Sequence, residues 1–174
     1  ADTINVLAGG NIDSSSISLG DAGDTIDVDA GATLDGGDDG NGGTFATSID
    51  LGEDGNLIFN DGTIAADITG GSGADRIFNN TTITGFVDGS SGATNANINL
   101  GDGNNVISNG AGAMLTADIT LGSGNDTVTN SGTISGNVAL GSAATTDNVN
   151  NNAGGAINGQ VQGDGFDVNN SGSI

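Results

Sequence analysis

The chain has 174 residues, with 34 Gly, no Pro, Cys, His, Trp or Tyr, and 22 acidic side chains against a single basic one, Arg76, for a formal charge of −21. One arginine builds no basic patch, which argues against nucleic acid and anionic membrane surfaces as partners, while the missing Cys and His remove Ser-His-Asp, Cys-His and His-based zinc chemistry. Gly without a three-residue period or Pro is not collagen, and the interrupted apolar pattern does not suit direct membrane insertion by a helix.

Along the chain, apolar residues followed closely by Gly/Asp/Asn turns recur about every twenty residues, most regularly in the second half, which is the signature of a solenoid. At the front, Ile17-Ser18-Leu19-Gly20 leads into Ile26, Val28 and Leu34 as inward residues, and a Gly-rich insertion at residues 36–43 lengthens that coil. Ile49-Asp50-Leu51-Gly52 starts the next, with Ile58, Ile64 and Ile68 inward. The coil from Gly71 carries Ile77, Ile83 and Val87, followed by a second insertion at residues 88–97. The coil from Gly101 places Ile107, Leu115 and Ile119 in the same roles. The coil from Gly122 uses Val128, Ile134, Val138 and Leu140, and the one from Gly141 uses Val149, Ile157 and Val161.

Short apolar alternation broken by Gly and Asn predicts strands of about three to five residues rather than helices. A single coil cannot bury its apolar side, whereas stacked coils share one narrow core. The expected fold is all-β, a parallel β-helix (β-solenoid) of about seven to eight short coils over residues 1–174, with the two insertions as edge loops.

Two polar positions repeat with the coils. Asn60, Asn79 or Asn80, Asn109, Asn130, Asn151 and Asn170 recur after the first strand, where stacked amides form a ladder along the rod or each closes its own Asx turn. At the other turn, Asp24, Asp75, Asp126, Asp147 and Asp167 end Gly-containing loops, with Asp21, Asp54, Asp102 and Asp164 as further carboxylates. Calcium takes six to eight oxygens, which carboxylates and Gly-turn carbonyls can supply, so Asp24, Asp75, Asp102, Asp126, Asp164 and Asp167 are the candidate metal ligands and calcium the candidate cofactor. The competing expectation is that backbone and Asx hydrogen bonds close these turns without metal.

The turns Gly122-Ser123-Gly124-Asn125-Asp126, Gly71-Ser72-Gly73-Ala74-Asp75 and Gly101-Asp102-Gly103-Asn104-Asn105 resemble the nonapeptide repeats of RTX proteins and calcium-dependent adhesins, a resemblance that implies calcium in the turns. Asn56 and Asn105 depart from it, standing where matching coils have Asp. The phrases 119–132 and 130–142 are similar to the degenerate β-helix repeats of bacterial autotransporter passengers and surface adhesins. That similarity implies a secreted or bacterial cell-surface stalk. The absence of Cys is compatible with such a location, and the opening Ala1-Asp2-Thr3 carries no targeting segment, so any such segment was removed, omitted or never present.

Matching the coils also sets Leu57 and Phe59 at the outward positions of Thr127 and Thr129, with Arg76 and Phe78 there on the next coil and Val106 extending the row. In that register they form an exposed apolar strip beside the only basic side chain, suited to lateral association of rods or to contact with an inserted loop. A one-residue slip would bury both phenylalanines instead.

A β-helix can also cleave polysaccharide with a spaced carboxylate pair, but Asp38, Asp39 and Asp102 have no His, Tyr or Trp to accompany them. An ice-binding face is not expected, because Phe59, Phe78 and Ser108 interrupt the threonine row at Thr129. The function expected is therefore structural rather than enzymatic: an extracellular adhesin stalk or fibre segment whose partners are further copies of itself, another surface protein or a glycan. A calcium-stabilised ligand-binding module and, less favoured, a polysaccharide-degrading enzyme are the alternatives.

Overall fold

The computed structural model describes residues 1–38, 40, 43–88, 92–141 and 146–174. Among them there is no helix. Parallel strands stack into a β-solenoid of about seven turns. Each coil has three faces. The first comprises Thr3–Val6, Thr25–Val28, Leu57–Asn60, Arg76–Asn79, Val106–Asn109, Thr127–Asn130, Asp147–Asn151 and Phe166–Asn170 in one eight-stranded sheet.

Alternation along these strands decides what is buried. Ile26, Ile58, Ile77, Ile107, Val128 and Val149 stack in register as one inward column of the first face, and all are 0% exposed. Leu34, Ile64, Ile83, Leu115, Ile134 and Ile157 form the column of the second face. Ile49, Ile68, Ile98, Ile119 and Val138 form that of the third. Each fully buried Ile contributes about 1.5–3 kcal/mol relative to exposure, and it does so against the equivalent residue of the next coil.

Glycine is required where turns stack. A Cβ on Gly103 (φ +105°) would lie 2.0 Å from the Gly73 carbonyl oxygen of the neighbouring coil, and one on Gly124 (φ +144°) 1.9 Å from that of Gly103. The turn backbones therefore approach too closely for any side chain.

The insertions differ in extent from the expected 36–43 and 88–97, of which residues 39, 41–42 and 89–91 lie outside the described residues. The first arm is closed at its root by Gly36 N–H to Phe45 O (2.7 Å) and Phe45 N–H to Gly37 O (2.9 Å). The second leaves the coil at Gly85, whose N–H bonds Thr94 O at 3.1 Å. Val87, expected in the core, instead belongs to a short antiparallel pair, Val87–Asp88 with Gly92–Ala93. Ala96–Gly101 supplies the third face in its place. Apolar alternation reads the same in a hairpin arm as in a coil, and only the turn at Gly85 separates them. Phe45 and Phe86 meet at 5.7 Å between ring centroids, so the two arms touch across the coil that lies between them.

Candidate functional site

Asn60, Asn79, Asn109, Asn130, Asn151 and Asn170 end successive first-face strands in register. Each Nδ2 donates to the Oδ1 of the next asparagine at 2.8–2.9 Å, from Asn60 through to Asn170. The second amide hydrogen of each goes to a backbone carbonyl of the next coil, as from Asn109 to Thr133 O (3.1 Å) and from Asn130 to Ala156 O (3.0 Å). The first five are buried and only Asn170, in the last strand, is exposed. The column is a continuous amide ladder. In the two earlier coils the same position holds Val6 and Val28. Asn80 points outward instead and donates to Asp61 at 2.7 Å.

A second ladder stands at the start of the same strands. Its members are Asp24, Asn56, Asp75, Asn105, Asp126 and Asp147, all at most 2% exposed. Each backbone N–H donates to the Oδ1 of the residue one coil further: Asp24 to Asn56 (2.8 Å), Asn56 to Asp75 (2.9 Å), Asp75 to Asn105 (3.0 Å), Asn105 to Asp126 (2.8 Å) and Asp126 to Asp147 (2.9 Å). Because every Oδ1 takes an equivalent donor, the planar groups are oriented alike, and their second atoms face the turn.

In the asparagine coils that second atom is a donor. Asn105 Nδ2 reaches the carbonyls of Gly101 (3.1 Å) and Gly103 (3.3 Å), and Asn56 Nδ2 reaches that of Asp54 (3.0 Å). In the aspartate coils it is Oδ2, an acceptor. The Oδ2 atoms of Asp24, Asp75, Asp126 and Asp147 are all buried without a hydrogen-bond partner. A buried unpaired acceptor costs about 1–3 kcal/mol, more if charged. Burial pushes the carboxyls of Asp75 and Asp126 above the ordinary value; the N–H of Asn56 and that of Asn105 act against it, and Asp126 is raised further by its neighbour Asp147. Asp75 Oδ2 occupies space that a side chain at residue 70 would take, 2.1 Å from a Cβ built on Gly70. The residues at the corresponding turn position on other coils, Leu51, Leu100 and Leu121, are buried leucines.

Of the candidate metal ligands, the fold brings Asp24, Asp75 and Asp126 into this column. Asp102 is turned outward, with its Oδ1 accepting the Ser123 N–H (2.9 Å) and hydroxyl (2.7 Å), which hold its carboxyl below the ordinary value. Asp164 and Asp167 are exposed on the last coil. Asp167 pairs with Asn148 and points outward, because Phe166 takes the register position opposite Asp147. Among the described residues no group of three or more carboxylates converges on a shared point. What each aspartate coil offers a cation is one buried, unpartnered carboxylate oxygen, and calcium held there would need its remaining oxygens from elsewhere.

Asn56, Asn105 and Asp147 complete this ladder: the sequence sets Asn56 and Asn105 where matching coils have Asp, and Asp147 among the aspartates of the Gly-containing turns. Asn56 and Asn105 each stand five residues after a buried leucine, Leu51 and Leu100.

On the outward side of the first face, Leu57, Arg76, Val106 and Thr127 form one column and Phe59, Phe78, Ser108 and Thr129 the next. The Phe59 and Phe78 rings stack with centroids 5.3 Å apart and planes 17° apart, and Phe59 is 40% exposed. Arg76 is exposed beside them. The chain matches no protein-family model, no curated protein and no solved structure.

Proposed function

We propose that the chain is a structural segment of a secreted or bacterial cell-surface stalk or fibre, of the RTX-like or autotransporter-passenger-like kind, rather than an enzyme. The observation that carries this reading is the axial continuity of its two polar ladders. Each runs from coil to coil over much of the rod, and the binding energy within the fold is directed along the axis. A solenoid organised in this way transmits load and sets a distance.

Calcium is the proposed stabiliser, entering at the orphaned Oδ2 atoms of Asp24, Asp75 and Asp126. A cation bound only by folded turns raises stability by mass action. Thermal melts in calcium and in chelator at matched ionic strength test this, and an absence of any calcium-specific shift rejects it.

The stacked Phe59–Phe78 pair, flanked by Leu57, Val106 and Arg76, is the proposed contact surface for lateral association with a second rod. Aromatic residues and arginine are enriched at such interfaces. Sedimentation of the wild-type chain should show self-association that Phe59→Ser with Phe78→Ser abolishes. Unchanged association in the double variant would reject the surface, and Asp-dependent release of sugars from a polysaccharide panel would move the chain into the enzyme class.

A further inference from the structure

Phe59 and Phe78 are neighbours in one outward column of the first face, and Leu57 and Arg76 are neighbours in the other. The four positions form a block two coils high and two columns wide. Arg76 is the protein's only basic side chain, and among the described residues it joins no ion pair. The block therefore offers an outside partner both an aromatic stack and an unpaired positive charge.

A second copy matches the block on both counts. Two sheets packed face to face about a twofold axis set each outward residue against one position of the other sheet. An axis along the strands, midway between the coils of Phe59 and Phe78, puts Phe59 against Phe78 of the second copy and Leu57 against its Arg76. Rods related in this way run in opposite directions. An axis along the rod puts Leu57 against Phe59 and Arg76 against Phe78, and both rods then run the same way.

Charge separates the two arrangements. With opposed rods, Arg76 faces the coil whose turn carries the exposed Glu53 and Asp54 of the second copy. Asp27, one coil before Phe59, faces the neutral Ser108, one coil after Phe78. The like charges brought together at the turns are Asp21 and Asp102. With rods running the same way, the turn of Glu53 and Asp54 lies beside Asp61, which follows the strand Leu57–Asn60, and Asp21 lies beside Asp29, which follows Thr25–Val28. Arg76 then faces a coil whose far turn carries the neutral Asn80. Two rods of charge −21 repel one another, so the arrangement that places the sole cation against an acidic turn is favoured.

We infer, on the reading that this surface is a lateral contact, that two copies pair antiparallel through it, Phe59 against Phe78, with Arg76 of each copy beside the turn of Glu53 and Asp54 of the other. Six coils overlap, a footprint of about 29 Å by about 13 Å, well below the roughly 800 Å² per partner of a standard interface. One pair is thus weak, and many pairs acting together hold it. Opposed polarity joins rods that point towards each other, as stalks rooted on two facing surfaces do, whereas stalks rooted side by side run parallel.

The chain has no Cys, so thiol cross-linking reads the orientation directly. Asp27→Cys and Ser108→Cys are made in separate chains and mixed at about 1 mM, where a millimolar dissociation constant already populates the pair. A short bismaleimide spans the separation of about 10 Å between facing sheets. The expected product is a covalent heterodimer of the two variants, with neither coupling to itself, and about tenfold less of it once Phe59→Ser and Phe78→Ser are added to both chains. Coupling of Asp27→Cys to Thr25→Cys in its place overturns the antiparallel pair and leaves the surface a lateral contact. Coupling in neither mixture also overturns it, and sedimentation of the wild type against the double Phe variant at the same concentration then decides separately whether the surface itself stands. Residues 25, 27 and 108 face outward, so these cysteines leave the core packing untouched.

Discussion

Asp126 stands one coil beyond Asn105 in the same column and takes the Asn105 backbone N–H on its Oδ1 at 2.8 Å. The two residues differ in a single respect: Asn105 gives a side-chain amide to the carbonyls of Gly101 and Gly103, whereas Asp126 turns a partnerless oxygen toward its own turn.

Asp126→Asn is therefore expected to stabilise the chain in chelator, by about 1–3 kcal/mol, the range for a buried polar atom gaining its partner. Urea denaturation monitored by circular dichroism measures it. The same variant should respond less to calcium. A loss of stability in chelator would show that Oδ2 is already satisfied.

Stability should also depend on pH in a definite direction. The folded-state carboxyls of Asp35, Asp75 and Asp126 are raised by burial, so the folded chain holds their protons more tightly than the unfolded chain. Their stabilisation is complete below the ordinary carboxylate value and is lost as pH rises from there through the folded values. Asp102, held low by Ser123, acts in the opposite sense, its contribution being lost as pH falls through its folded value. Unfolding free energy in chelator should thus decline from mildly acid to neutral pH, and Asp75→Asn with Asp126→Asn should flatten that decline. A profile that rises towards neutral pH in the wild type contradicts this account.

The amide ladder predicts a positional contrast. Asn109→Ala removes the acceptor of Asn79 and the donor to Asn130, both buried, and should cost about 2–4 kcal/mol. Asn170→Ala touches only the exposed end of the ladder and should stay within about 1 kcal/mol. Equal losses in thermal melts of the two variants would mean that the ladder does not act as a buried chain.

Stacked turns give a second contrast, between two glycines that both have positive φ. Gly112 (φ +78°) has open space where a Cβ would go, so Gly112→Ala should cost only the backbone penalty, about 1–2 kcal/mol. Gly103 (φ +105°) would press its Cβ against the Gly73 carbonyl oxygen, so Gly103→Ala should cost clearly more. Matched equilibrium unfolding of the two variants checks whether the excess exists.

Much of the fold was legible in the residues themselves. Ile58, Ile77, Ile107 and Val128 sit at repeating positions among alternating polar neighbours, and a period of two inside a period of about twenty admits a stacked coil and little else. The amide ladder was legible for the same reason, since Asn109, Asn130 and Asn151 recur in the role of an inward residue. The outward register of Phe59 followed from its alignment with Thr129. Repetition carries this information because each coil packs on a near copy of itself.

What repetition does not carry is what one side chain meets when its neighbours change chemistry. Val87 has the alternation of a core residue, yet the turn at Gly85 takes it into an arm. Asp164 and Asp167 have the composition of turn ligands, but Phe166 in the register place opposite Asp147 leaves Asp167 facing outward. That Phe45 and Phe86 meet across an intervening coil, and that Asp13 is paired in register with Asp35, depends on which coils lie side by side and how far each insertion reaches back. The orphaned oxygens of Asp75 and Asp126 were decided in the same way. An aspartate and an asparagine are interchangeable in a turn pattern, and only the tertiary structure buries their second atoms, where the asparagine amide finds turn carbonyls and the aspartate oxygen finds no partner.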